Sequence, residues 1–162
     1  MNYIKNIFKS SSMDTIPIEL IDLIFGYIGN IRSWTLLFVC KKFYLLTKNK
    51  WNIDKYKFIN DVAKTGEIEL FKWSRQNGCE WDSDTCSYAA ENGHLEVLQW
   101  ARQNECKWDY STCAYAAKNG HLEVLQWARQ NGCEWDSNTY QNAINNKHFK
   151  VAEWCKDNEC PI

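Results

Sequence analysis

A 13-residue segment that recurs along the chain constrains the fold more than any other feature. It reads NGHLEVLQWARQN at residues 92–104 and again at residues 119–131. Tryptophans continue the same spacing of 27 residues from Trp73 to Trp154, so a divergent copy lies on either side of the pair. A fixed period of this length is typical of stacked repeat arrays, and it predicts a repeat solenoid.

The repeated segment is predicted to form a short amphipathic helix. Its apolar residues fall on one wide arc of a helical wheel, formed by Val97, Leu98, Trp100 and Ala101. The arc is too broad for a helix with one buried side, but it suits a helix that packs between two neighbours. One such unit cannot bury its apolar surface alone, so the units must stack.

A second short helix is predicted just before each copy of the segment. In the first full unit it carries Ala89 and Ala90, which would let the two helices approach closely. We expect Asp84 or Thr85 to cap its N-terminus, because side-chain oxygens there accept bonds from free backbone N–H groups. We expect Asn92-Gly93 to end it in a left-handed conformation.

This unit resembles the ankyrin repeat. The resemblance is carried by Ala89-Ala90, Gly93-His94 and Glu96-Val97-Leu98. It implies a solenoid of helix pairs that binds protein partners along its turns and first helices. Trp100 replaces an inner leucine of the family, and the shorter period implies blunt connections instead of projecting hairpins. Short, tryptophan-rich repeats of this kind are similar to those of giant-virus proteins.

The segment before the repeats resembles an F-box. It contains Ile16-Pro17-Ile18-Glu19-Leu20, then Ile24-Phe25-Gly26-Tyr27-Ile28, then Val39-Cys40-Lys41-Lys42-Phe43, and ends near Trp51. In that family the F-box docks on a Skp-type adaptor of a cullin-RING ubiquitin ligase. The resemblance implies that the adaptor would contact Pro17, Leu20, Ile21, Ile24, Val39, Cys40 and Phe43. The same residues could instead form the core of this segment or pack on the first repeat.

The predicted fold is all-α, with a three-helix F-box-like unit followed by an ankyrin-like solenoid of about four short units. We expect a flexible tail at residues 1–12, the F-box-like domain at 13–52 and the repeats at 53–162. The expected repeat bounds are about 54–81, 82–108, 109–135 and 136–162. The last repeat loses the shared pattern and carries polar residues, so we interpret it as a cap, because terminal repeats need a polar outer face.

Positions that differ between repeats indicate where a target protein would bind. Stacking positions hardly change, whereas aromatic and charged residues vary at the first-helix side, and such residues commonly anchor interfaces. The predicted target-binding residues are Tyr88, Glu91, Tyr110, Tyr115, Lys118 and Tyr140. The differences could also be neutral variation on a solvated face.

Charge and hydropathy exclude several other partners. The formal net charge is −1 and no long run of like charge occurs, so neither nucleic acid nor a membrane surface is expected to bind. No segment has the length of a signal peptide core or a membrane span, which predicts an intracellular, cytoplasmic protein (host cytoplasm if viral). We expect a monomer outside the ligase complex.

Four of the eight cysteines, Cys79, Cys106, Cys133 and Cys160, lie one repeat apart. Stacked repeats would hold them at about 10 Å, the spacing of helix layers, which is too far for disulfides. We therefore expect buried thiols that act as small hydrophobic residues. A zinc site formed by Cys106, Cys113 and His121 is the weaker alternative, since it lacks the paired spacing of structural zinc sites. No cofactor is expected.

Catalysis is not expected either. Cys86 and His94 recur as Cys113 and His121, and a pair that is duplicated with its scaffold is better explained by packing than by chemistry. Two functions remain open. The chain could be a substrate-recognition subunit of an SCF-type ubiquitin ligase, or an ankyrin-repeat binding protein with no link to ubiquitin ligases.

Overall fold

The computed structural model describes residues 55–162, in which every regular element is an α-helix. Residues 1–54, and with them the F-box-like domain predicted at 13–52, lie outside the described residues. The eight helices of the described part are α1 (Lys55–Thr65), α2 (Ile68–Gln76), α3 (Ser83–Glu91), α4 (Leu95–Gln103), α5 (Tyr110–Lys118), α6 (Leu122–Gln130), α7 (Ser137–Asn145) and α8 (Phe149–Asp157).

Successive helices form four pairs, which we number units 1 to 4. The first helix of each unit (α1, α3, α5 and α7) packs on the first helix of the next unit, and the four form a continuous row. The second helices approach one another much less closely. The predicted all-helical repeat solenoid is thus confirmed for the described residues, and its units lie closer together on the first-helix side.

Residue size explains this asymmetry. The first helices meet through small side chains such as Ala89, Ala90 and Ala116, which are fully buried. On the second-helix side, a tryptophan from the segment between units packs edge-to-face against the tryptophan of the following second helix. The ring centroids of Trp81 and Trp100 are 5.8 Å apart, and those of Trp108 and Trp127 are 5.7 Å apart. Bulky tryptophan pairs thus lie on the second-helix side, and buried alanines lie on the first-helix side.

Each first helix from α3 onward is capped at its N-terminus by the aspartate that precedes it. The carboxylate of Asp82 accepts a hydrogen bond from the N–H of Asp84 (3.1 Å), and Asp109 and Asp136 act alike on Ser111 (2.9 Å) and Asn138 (3.0 Å). The prediction of Asp84 or Thr85 as the cap was wrong. Asp82 is the residue in extended conformation, and Thr85 completes a capping box by accepting from the Asp82 N–H (3.4 Å).

A glycine and a histidine connect consecutive units. Gly93 ends the first helix of unit 2 with φ 75°. The imidazole of His121, from unit 3, lies over Gly93 and donates from Nε2 to the carbonyl oxygen of Glu91 (3.0 Å). A Cβ at Gly93 would be 2.7 Å from His121 Nδ1, so a side chain there would displace the ring.

Three non-glycine residues take the same left-handed conformation. Glu105 and Glu159, which replace the closing glycine of their units, have φ of 68° and 63°. Lys147 replaces the glycine of the last unit with φ 64°. A further unit with a histidine at the usual place would meet the Lys147 side chain, because a Cβ at the equivalent Gly120 already comes within 2.5 Å of the His148 ring.

The exposed end of unit 4 is only partly polar. Gln141, Asn145 and Lys147 are exposed there, but so are Ile144 and Phe149. These two stand where Ala117 and Leu122 are covered by the next unit in the preceding repeat, which explains their exposure. The interpretation of 136–162 as a cap stays a prediction.

Among the helices between residues 55 and 162, none is both long and apolar enough to cross a lipid bilayer.

Candidate partner-binding surface

The first helices expose the same two positions in every unit. The two positions are three residues apart in sequence, so they lie on one side of each helix. One row along the array consists of Asp61, Tyr88, Tyr115 and Asn142; the other consists of Lys64, Glu91, Lys118 and Asn145. All eight side chains are half-buried or exposed, whereas the neighbouring alanines are buried. We call these two rows the first-helix face.

In units 1 and 2 the polar groups of this face bind one another. The ammonium of Lys64 lies 2.9 Å from Asp61 Oδ1 and 4.2 Å from the centroid of the Tyr88 ring. The Lys64 charge is thereby balanced by a carboxylate and supported by a cation–π contact. In this part of the face, Glu91 is the main charged side chain still available to bind a partner.

In units 3 and 4 the polar groups are largely unpaired within the described residues. Tyr115 is 38% exposed and its hydroxyl forms no hydrogen bond there. Lys118 Nζ lies 5.7 Å from the Tyr115 centroid, with no carboxylate of the described part within ion-pair distance. Asn142 donates to the carbonyl oxygen of Ala114 (3.3 Å), while the Asn145 amide is exposed and makes no hydrogen bond to the described residues.

The predicted target-binding residues do not all lie on this face. Tyr88, Glu91, Tyr115 and Lys118 do, although Tyr88 is half-buried and packs against the core. Tyr110 is 51% exposed at the N-terminus of α5. The half-buried Tyr140 also packs against the core. Their role in binding stays a prediction.

Asp61 and Lys64 of unit 1 were missed by sequence reasoning, because the start of that unit is degenerate. Their position 27 residues before Tyr88 and Glu91 was the signal that could have identified them. The residues predicted to contact a Skp-type adaptor lie outside the described residues: Pro17, Leu20, Ile21, Ile24, Val39, Cys40 and Phe43.

Buried thiols connect the end of a unit to the start of its first helix. Cys106 Sγ donates to the carbonyl oxygen of Asp82 (3.3 Å), and Cys133 Sγ donates to that of Asp109 (3.3 Å). The hydrogen-bonded contact with Cys106, together with burial, raises the pKa of the Cys86 thiol, and Cys133 acts in the same way on Cys113. Cys86 and Cys113 therefore remain protonated at neutral pH, and they are poor nucleophiles.

The histidines form hydrogen bonds between consecutive units. His94 Nε2 donates to the carbonyl oxygen of Lys64 (2.9 Å), as His121 does to Glu91 in the next unit. No cluster of three or more His, Cys, Asp or Glu side chains in residues 55–162 could hold a metal ion. The structure therefore does not bring Cys106, Cys113 and His121 together in a metal-binding cluster.

A crevice of about 690 Å³ runs along the turns between units 1 and 3. Three of its polar groups are engaged within the chain. The Tyr56 hydroxyl donates to Glu80 (2.5 Å), and the Arg75 guanidinium stacks 4.4 Å from the Trp81 centroid while donating to the carbonyl oxygen of Cys79 (3.1 Å). Glu105 and Lys107, which also line the crevice, are exposed.

Comparison with known families agrees with the repeat architecture. A family model described as ankyrin repeats (many copies) matches residues 86–129, which extend from α3 to α6. No curated protein sequence was found to match the chain. The predicted ankyrin-like character is thus confirmed for residues 86–129. The match indicates a protein–protein interaction module.

Proposed function

We propose that the chain is a substrate-recognition subunit of an SCF-type cullin-RING ubiquitin ligase. The F-box-like segment, residues 13–52, docks a Skp-type adaptor, and the first-helix face holds the target protein. The proposal includes a cytoplasmic location, in the host cell if the chain comes from a giant virus, and a monomeric state outside the complex.

The observation that carries the interaction role is the contrast between buried and exposed positions of the first helices. Ala89 and Ala116 are identical and buried in consecutive units, whereas the exposed row holds Lys64, Glu91, Lys118 and Asn145. A constant core beneath a varied surface is what a stacked binding scaffold requires. The ligase role is supported by the sequence resemblance of 13–52 alone.

The test is binding of the purified full chain to a purified Skp-type adaptor, measured by calorimetry. We expect a stable complex, and we expect the double variant Leu20→Asp, Ile24→Asp to lose it, since charges would replace two apolar contacts. Circular dichroism must show that the double variant keeps its helices. Lys118→Glu, on the repeats, is the matched control and should bind the adaptor like the parent chain.

The alternative is an ankyrin-repeat scaffold with no link to a ubiquitin ligase. The confirmed match to ankyrin repeats favours a binding module without requiring an adaptor. A well-folded parent chain that fails to bind the adaptor would support this alternative.

A further inference from the structure

Units 3 and 4 of the first-helix face carry three exposed hydrogen-bond donors. They are the Lys118 ammonium, the Tyr115 hydroxyl and the Asn145 amide. Tyr115 and Lys118 lie one turn apart on α5, and Asn145 occupies the Lys118 position on α7, which packs directly on α5. None of the three donates to an acceptor within residues 55–162, and all three residues are exposed.

The surroundings of these donors contain no competing carboxylate on the helices that carry them. The sequences of α5 and α7, YSTCAYAAK and SNTYQNAIN, include no acidic residue. The nearest aspartates in sequence, Asp109 and Asp136, are N-caps at the opposite ends of these helices, where they accept backbone N–H groups. Glu91, one unit away in the same row, forms no ion pair with Lys118.

Unit 1 contains the carboxylate partner that Lys118 lacks. There the equivalent lysine, Lys64, has its own carboxylate partner in Asp61 at 2.9 Å. In unit 3 the position equivalent to Asp61 is Tyr115, and in unit 4 it is Asn142, so the partner acid has been replaced by neutral groups. The same backbone framework therefore holds a satisfied lysine at one end and an unsatisfied lysine towards the other.

We infer that the α5–α7 part of the first-helix face binds an aspartate or glutamate side chain of the target protein. The inference rests on the proposed function, in which the repeats hold a target. A carboxylate accepts from the Lys118 ammonium in a charge-assisted bond, and its remaining lone pairs accept from the Tyr115 hydroxyl and the Asn145 amide. The Tyr115 ring, beside Lys118, supplies apolar contact area at low entropic cost.

The experiment uses random 12-residue peptides displayed on phage, selected on the immobilised full chain and counter-selected on the Lys118→Glu variant. Enriched peptides are synthesised and their Kd is measured by fluorescence polarisation. We expect each to contain an Asp or Glu whose change to Asn or Gln weakens binding about tenfold, the usual worth of a hydrogen bond to a charged group.

A charge exchange locates the contact. Lys118→Glu should weaken the binding of the original peptide by about the same factor. A peptide with Lys in place of its acidic residue should bind this variant more tightly than it binds the parent chain. Lys150→Glu is the matched control: it makes the same change of charge at an exposed lysine of α8, outside the first-helix face, and should leave the Kd unchanged. Circular dichroism and thermal unfolding confirm that both variants are folded.

Three outcomes would overturn the inference: enriched peptides without an acidic residue, a Kd that a folded Lys118→Glu variant leaves unchanged, or no peptide enriched over the variant. A dimer of the chain that Lys118→Glu dissociates, seen by sedimentation, would assign the site to a second copy and also contradict a target role. Adaptor binding is measured in a separate experiment, so a chain that fails to bind the adaptor can still be tested for binding of acidic peptides.

Discussion

At the scale of single residues, one column of hydroxyl groups shows how the units fit. Thr85 Oγ1, fully buried, donates to Asn60 Oδ1 in the preceding unit (2.5 Å). Thr112 Oγ1 lies 3.5 Å from the hydroxyl of Ser87, which stands in the Asn60 position. Thr139 Oγ1 is equally buried but has no hydrogen-bond partner in the described part of the chain. The position that would supply one is occupied by Ala114.

We predict that Ala114→Ser stabilises the protein. The new hydroxyl can reach Thr139 Oγ1 as Ser87 reaches Thr112, and it should raise the free energy of unfolding by about 1 kcal/mol, as for a buried hydrogen bond that satisfies an orphan group. Urea unfolding of the full chain measures the change. In a Thr139→Val background the gain should vanish; the same gain there would show that the two hydroxyls do not interact.

At the scale of helices and their connections, the Gly–His contact decides how one unit attaches to the next. Gly93 and Gly132 both have positive φ, at 75° and 82°. They differ in their surroundings, since the His121 ring lies over Gly93 while nothing lies within 4 Å of a Cβ at Gly132. The two glycines therefore separate the cost of the left-handed conformation from the cost of displacing the ring.

We predict that Gly93→Ala destabilises the protein more than Gly132→Ala. Both variants carry the cost of a left-handed alanine, about 1–2 kcal/mol. Gly93→Ala also displaces His121 and its bond to the Glu91 carbonyl, which adds about 1 kcal/mol or more. Unfolding of the two variants in urea gives the comparison, and equal losses would refute a packing role for the ring.

At the scale of the whole molecule, buried thiols link stability to alkaline pH. Burial raises the pKa of Cys155 from 9.0 to about 12. The pKa values of Cys86, Cys113 and Cys160 are raised as well. A thiol that keeps its proton longer in the folded state stabilises that state fully below the unfolded pKa, and the contribution declines as the pH rises towards the folded pKa.

We therefore predict that the stabilising contribution of Cys155 falls between about pH 9 and pH 12. The free energies of unfolding of the parent chain and Cys155→Ala should differ by a constant amount below this range and converge within it. Val151→Ala removes a buried side chain that does not titrate, so its difference from the parent chain should stay constant. Parallel curves for Cys155→Ala would contradict the prediction.

The sequence by itself determined the repeat, the two helices of each unit, the left-handed stops and the burial of the cysteines. These features depend on periodicity and on backbone preferences within a few residues, so they can be predicted from local patterns. The cap at Asp82 was misassigned by two or three residues, because Thr85, one turn on, belongs to the same capping box.

The tertiary structure alone decided which side chains of neighbouring units satisfy one another. The contact of Lys64 with the Tyr88 ring, the unpaired state of Lys118 and the orphan hydroxyl of Thr139 depend on distances between helices that the 27-residue period does not fix. The same holds for the tighter packing of the first helices, which results from alanines on one side and tryptophan pairs on the other. The period determines that the units stack, whereas contacts between residues far apart in sequence determine what the stack leaves free to bind.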